Sequence, residues 1–190
     1  MRLFEIDAAT QEEAFTLYTL FCLTELVECT APHACAIRVS SAVAWADSKI
    51  RLWTEPPYEF FELSLCQSDN TEAAIRILES MPHGDRSRRL LVALFAQGLR
   101  HKPELLSSLV RGVYYVLDDF RGVPDEYTIL TTAGRMADES EFENCQIPNK
   151  AIQKELMAVF NQHESIDTSM LHVDAIEVVE CLSSANCPWD

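Results

Sequence analysis

The stretch Lys49-Ile-Arg-Leu-Trp-Thr-Glu-Pro-Pro-Tyr-Glu-Phe-Phe-Glu-Leu-Ser-Leu-Cys66 sets the fold assignment, because its two apolar runs must be paired with something. Lys49 to Trp53 and Tyr58 to Cys66 carry the aromatic and branched residues that suit strands. Glu55-Pro56-Pro57 between them forbids continuous pairing, since proline has no N–H to donate to a ladder. The spacing predicts an antiparallel hairpin with a proline-stiffened turn. Outward from it, Arg2 to Ile6 alternates as a short opening strand. Ala34 to Trp45 places Ile37, Val39, Val43 and Trp45 at odd spacing, again strand-like, although its Ala-rich second half also allows a helix. Tyr127 to Thr132 has the β-branched content of a later strand. Leu171 to Leu182 can be drawn as a strand, while Asp174, Glu177 and Glu180, recurring every third residue, also permit a helix.

Helices are expected between these segments. Thr10 followed by Glu13 forms a capping-box pattern for a helix from about Gln11 to Glu28. That helix is apolar over most of its circumference, which predicts that it is sandwiched. Asn70 and Thr71 cap a helix through about Ser80, ended by Pro82 and Gly84. Asp85 caps the next, which finishes near Gly98. Pro103 and Glu104 open a third, with Leu106, Leu109, Val110, Val113, Leu117 and Phe120 recurring at three and four. Pro148 opens a helix through about Asn161, with Ile152, Leu156, Val159 and Phe160 inward. The expected class is α+β: a single globular domain over residues 1–190, with a small, mostly antiparallel sheet covered by about five helices.

Composition bounds the function classes. Forty-eight per cent hydrophobic residues against 24% charged is the balance of a folded chain. Seven cysteines, an odd number without a framework spacing, predict reduced thiols and a cytoplasmic setting. Met1 to Asp7 holds one arginine and two acids, so no secretory leader is expected. The longest apolar run, Ala14 to Val27, is broken by Thr16, Thr19, Thr24 and Glu25 and is shorter than the ~20 residues of a bilayer span. A net charge of −15 disfavours nucleic acid and anionic membrane, which carry the same sign, and favours a basic protein partner.

The charge is unevenly laid out. Met81 to Arg111 contains six basic residues against two acidic ones, net +4, which leaves −19 for the remainder. Within it, Arg86, Arg88 and Arg89 crowd a helix start, where partial positive charge repels them and acids would be stabilising by ~0.3–1 kcal/mol each. Arginine forks beside free backbone donors make an anion-binding site for phosphate, carboxylate or an acidic segment. The simpler alternative is that the chain's own carboxylates neutralise them. On the acidic side, Asp138, Glu139, Glu141 and Glu143 fill one loop, and Glu155 to Asp190 holds seven acids and no Lys or Arg. A one-signed surface steers a cationic partner, and Trp189 can anchor such a contact or tuck the tail against the body.

Signals for chemistry are negative. The five glycines are isolated, so no glycine-rich phosphate cradle or nucleophile elbow exists. Asp118 and Asp119 are neighbours, pointing about 100° apart on a helix. His83, His101, His163 and His172 have no partner at meaningful spacing and read as surface or capping residues. Cys29, His33, Cys35, Cys181 and Cys187 contain no CxxC pair, so no metal and no cofactor is expected. The leading expectation is a non-enzymatic acidic interaction protein of the inhibitor or immunity-protein kind that binds a basic partner. The alternative is a small-molecule or anion-binding enzyme or sensor centred on the arginine cluster.

Overall fold

A computed structural model describes residues 6–26, 38–84, 88–110 and 150–183. Its α-helices are α1 (Ala8–Leu26), α2 (Val39–Leu52), α3 (Tyr58–Ser64), α4 (Thr71–Ser80), α5 (Arg89–His101), α6 (Lys150–His163) and α7 (Ala175–Ser183). Short 3-10 turns occupy Pro103–Leu105 and Ser169–Leu171, and residues 106–110 are helical. No strand occurs among the described residues, so the expected α+β class gives way to a helical one. Tyr127 to Thr132, and all of Arg2 to Ile6 except Ile6, lie outside the described residues. Those described within Met1–Cys22, Ile37–Leu91 and Asp167–Val173 form one compact unit. Those within Leu23–Ala36, Val92–Ile166 and Asp174–Asp190 form the other.

In the first unit the expected hairpin is replaced by two helices. α2 carries the chain through Leu52, burying Val39, Ala42, Trp45, Ala46 and Lys49 at intervals of three, three, one and three, a helical period. At Trp53 the backbone turns extended, and Pro57 (φ −56°, ψ 151°) is the residue from which α3 starts. The prolines therefore launch a helix. Their fixed φ and missing N–H are harmless where helical donors are unpaired anyway. Glu59, in the first turn, adds favourable charge at the positive end of the helix. Phe60 and Leu63, three apart, turn inward. The Trp45 and Trp53 rings each lie 5.2 Å from the Phe60 ring, tilted and edge-on respectively. Ser64 Oγ donates to Asp47 Oδ1 on α2 at 2.6 Å. A nine-residue run containing six apolar residues satisfies period two and period 3.6 together; burial of Phe60 and Leu63 selects the second.

α1 begins three residues before the expected Gln11. Asp7, not Thr10, supplies the cap: Oδ1 accepts from the Thr10 N–H and Oδ2 from Thr10 Oγ1, both at 2.9 Å. As expected, the helix is buried on nearly every side, with Ala14, Phe15, Leu17, Leu20, Phe21 and Leu23 at 1% exposure or less. The buried hydroxyls of Thr16 and Thr19 donate back to the Glu12 and Phe15 carbonyls at 2.8 Å and are thereby satisfied. Partial burial resists the Asp7 charge. The Thr10 backbone and hydroxyl donors, helped by Lys49, outweigh it and hold the carboxyl below its ordinary value of 3.8. Asp7→Ala is expected to lower stability by about 1 kcal/mol. A depressed folded-state value stabilises above the unfolded value and is lost as pH falls through the folded one. The gap between parent and variant should therefore hold steady near neutrality and shrink below pH 3.8. Urea midpoints across that range check it, and a gap that widens in acid would contradict the cap.

α4 runs as its signals require, with Asn70 Oδ1 accepting from the Ala73 N–H at 3.0 Å. Beyond it Gly84 adopts φ +54°, and a Cβ there would press to 2.6 Å of Gln11 Oε1.

In the second unit, α5 passes through Gly98 and continues to His101, so Gly98 is an interior residue and not the expected stop. α6 buries Leu156, Val159 and Phe160 as its spacing predicts. Gln97 Nε2 donates to the Ile166 carbonyl at 2.7 Å and fixes the chain after α6. α7 takes the helical alternative of the ambiguous Leu171 to Leu182 segment. Asp174 caps it through Oδ1, which accepts from the Ile176 N–H at 2.8 Å; Val178, Val179, Cys181 and Leu182 face inward and Glu177 and Glu180 outward. Among the described residues, no helix is long and apolar enough to cross a membrane.

Candidate functional site

The start of α5 and the second half of α2 each set a base against a carboxylate in the first turns of α1. Arg88 is buried and Arg89, the first residue of α5, is exposed. Arg89 Nη2 stands 3.0 Å from Glu12 Oε2, so one of the chain's own carboxylates meets the arginine that the helix start repels. Next to Glu12, Glu13 is freed from the expected capping box. Its Oε2 accepts from Trp45 Nε1 and from Lys49 Nζ, each at 2.6 Å, with the lysine and carboxylate both buried. Two further bases of the Met81 to Arg111 stretch face acids. Arg100 meets Glu164 at 2.8 Å, and Lys102 meets Glu180 at 2.9 Å, a contact that raises the lysine above its ordinary value. Arg86 lies outside the described residues, as do Asp138, Glu139, Glu141, Glu143 and Trp189.

Of the four candidate histidines, His83 and His163 are occupied structurally, and His101 and His172 are exposed. His83 stacks on Tyr18 and tilts against Phe15, with ring centroids 5.2 and 5.4 Å away, and its Nε2 donates to the Leu78 carbonyl at 2.8 Å. His163 Nδ1 meets the Val159 carbonyl at 2.9 Å on its own helix. Partial burial, and then the Glu62 charge, push the Cys66 thiol above its ordinary value against the opposing pull of Arg76, which keeps the nucleophilic thiolate scarce. No group of three potential metal ligands occurs among the described residues. Cys29, His33, Cys35 and Cys187, like Asp118 and Asp119, lie outside them.

The other notable surface is the outer side of α3. Tyr58, Phe61 and Leu65, at i, i+3 and i+7, are 70%, 41% and 82% exposed, and exposed Glu62 falls on the same side. Leu52, at the end of α2, is 67% exposed just before the proline turn. From Leu52 to Ile75 the chain carries five acids (Glu55, Glu59, Glu62, Asp69 and Glu72) and no base, with Arg51 and Arg76 at its borders. Large apolar side chains grouped within a polar rim are characteristic of interaction sites, whereas isolated ones are ordinary surface.

No family model, curated protein or solved structure matches this chain.

Sequence reasoning missed the α3 surface because a strand reading sends Tyr58 and Phe61 to opposite faces. The available signal was Tyr58, Phe61 and Leu65 at helical spacing directly after Pro57. Glu12, Glu13 and Lys49 were missed because their partners are distant in sequence.

Proposed function

We propose that this chain is a non-enzymatic interaction protein, of the inhibitor or immunity-protein kind, that binds a basic protein partner in the cytoplasm. The observation that carries the reading is the disposition of charge. The chain is acidic by 15 charges, and Arg89, Arg100 and Lys102 of its one basic stretch are turned onto its own carboxylates. Outward-facing acids such as Glu62, Glu72 and Glu155 are thus left to set the external field. Such a field speeds encounter with a cation by roughly 10–10³-fold and repels nucleic acid and anionic lipid. Cys22, Cys66 and Cys181, none of them in a disulfide, suit a reducing compartment. The competing reading, an anion site on Arg86, Arg88 and Arg89, has less behind it, because Arg89 already faces Glu12.

Affinity capture at low salt is expected to retrieve one basic protein. Its association rate with the purified chain should fall steeply as rising ionic strength shortens the Debye length to its physiological value of about 8 Å. An association rate indifferent to salt, or capture of nothing at low salt, would count against the reading. A rise in melting temperature with inorganic phosphate, abolished in Arg89→Ala, would favour the anion site instead.

A further inference from the structure

We propose that the outer face of α3, formed by Tyr58 and Phe61 with Glu62 and extended by Leu65 at the C-cap, is the docking surface for a basic amphipathic helix of the partner. The proposal rests on the interaction reading above and assigns it a place and a ligand chemistry. On a helix turning about 100° per residue, positions 58, 61, 62 and 65 fall within roughly 100° of one another, so the apolar side chains form one ridge with a carboxylate beside it. The opposite side of α3 is fixed. Phe60 and Leu63 are buried, two tryptophans pack on Phe60, and Ser64 is bonded to Asp47. The ridge therefore stands on a packed base, and docking demands little ordering from this side.

Charge selects the occupant. The segment that carries the ridge, residues 52–75, holds five acids and no base, and Arg76 at its border, close enough to act on Cys66, offsets only one of them. A second copy would therefore set like charges against each other, and nucleic acid or anionic lipid would meet the same repulsion. A cationic protein segment is favoured. Its anchors must be apolar, since Tyr58, Phe61 and Leu65 offer rings and methyls. A helix with apolar residues at i, i+3 or i+4 and i+7, flanked by Lys or Arg, matches both requirements. Lysine or arginine beside the apolar seam then reaches Glu62.

The test titrates the full chain into two labelled peptides of equal charge, each about 18 residues or five helical turns long. One is an amphipathic Leu/Lys helix and the other replaces every Leu with Ser. The Leu/Lys peptide is expected to bind at least roughly tenfold more tightly, and Tyr58→Ala with Leu65→Ala should remove that advantage while leaving the Ser/Lys peptide unaffected. Both substituted residues are highly exposed, so an unchanged melting curve is expected to accompany the loss. Glu62→Lys provides a second probe and should weaken the Leu/Lys peptide by charge alone. If both peptides bind at low salt and neither variant matters, the interaction reading survives and the α3 surface is overturned. If neither peptide binds at low salt, both fall together. Dimerisation of the chain that the Tyr58/Leu65 variant abolishes would make the face a self-interface and would equally overturn the proposal.

Discussion

Lys49→Met is expected to lower the unfolding free energy by about 3–5 kcal/mol, the range for removing one member of a buried ion pair. The lysine ammonium and the Glu13 carboxylate are both buried and 2.6 Å apart, so the methionine leaves a carboxylate in the interior with its charge uncompensated. Trp45 Nε1 still donates to it, but one neutral donor offsets only part of the desolvation. The companion variant separates this loss from lost packing. With Glu13→Gln added to Lys49→Met, the buried charge disappears, the amide oxygen can keep the tryptophan bond, and most of the lost stability should return. Denaturant unfolding of parent, single and double variants, followed by tryptophan fluorescence, measures all three. A single variant within 1 kcal/mol of the parent, or a double variant no better than the single, would mean that the pair is not the electrostatic unit described. The same cluster matters to the arginines, because Glu12 and Glu13 occupy successive positions of α1 and set Arg89 and Lys49 against one helix.

Local signals were legible where a single mechanism governed them. Asn70 capped α4, the broad apolar girth of α1 predicted its burial, and the spacing of Leu156, Val159 and Phe160 gave the inward face of α6. The sheet was misread where mechanisms competed. In Tyr58 to Cys66, aromatic content favours a strand and the preceding prolines suit either a turn or a helix start. The packing of Phe60 against Trp45 and Trp53, which decides it, involves residues on another element. Misreading α3 also hid the outer face that carries the proposed docking surface. The capping box failed for a related reason: Thr10 and Glu13 had the right spacing, but Asp7 stood three residues upstream with a stronger acceptor. The charged cluster was beyond any spacing rule, since Glu12 and Arg89 are 77 residues apart and Glu13 and Trp45 are 32 apart. What the sequence did expose was the conflict itself, arginines placed where a helix start repels them, and the alternative that the chain's own acids answer it holds for Arg89.

Gly98→Ala is expected to destabilise the second unit although the same change in an open helix interior would gain about 1 kcal/mol from helix propensity. A Cβ at position 98 would collide with the Ala175 carbonyl oxygen and with Val179 Cγ2, so α5 and α7 touch at this residue almost backbone to backbone. The valine methyl can rotate, but the carbonyl cannot. It belongs to the first residue of α7, which is tied by the Asp174 cap and by the buried row of Val178, Val179, Cys181 and Leu182. Relief therefore requires moving the whole helix, a strain of the overpacking kind that costs about 1–3 kcal/mol beyond the propensity gain. Gly98→Val should be worse, because its branched side chain adds two methyls to the same gap. Adding Val179→Ala to Gly98→Ala distinguishes the two contacts. It removes the side-chain clash and leaves the carbonyl, so recovery should be partial at most. Thermal melts of the three variants test the set, and a melting temperature that rises on Gly98→Ala alone would show that the helices do not approach this closely.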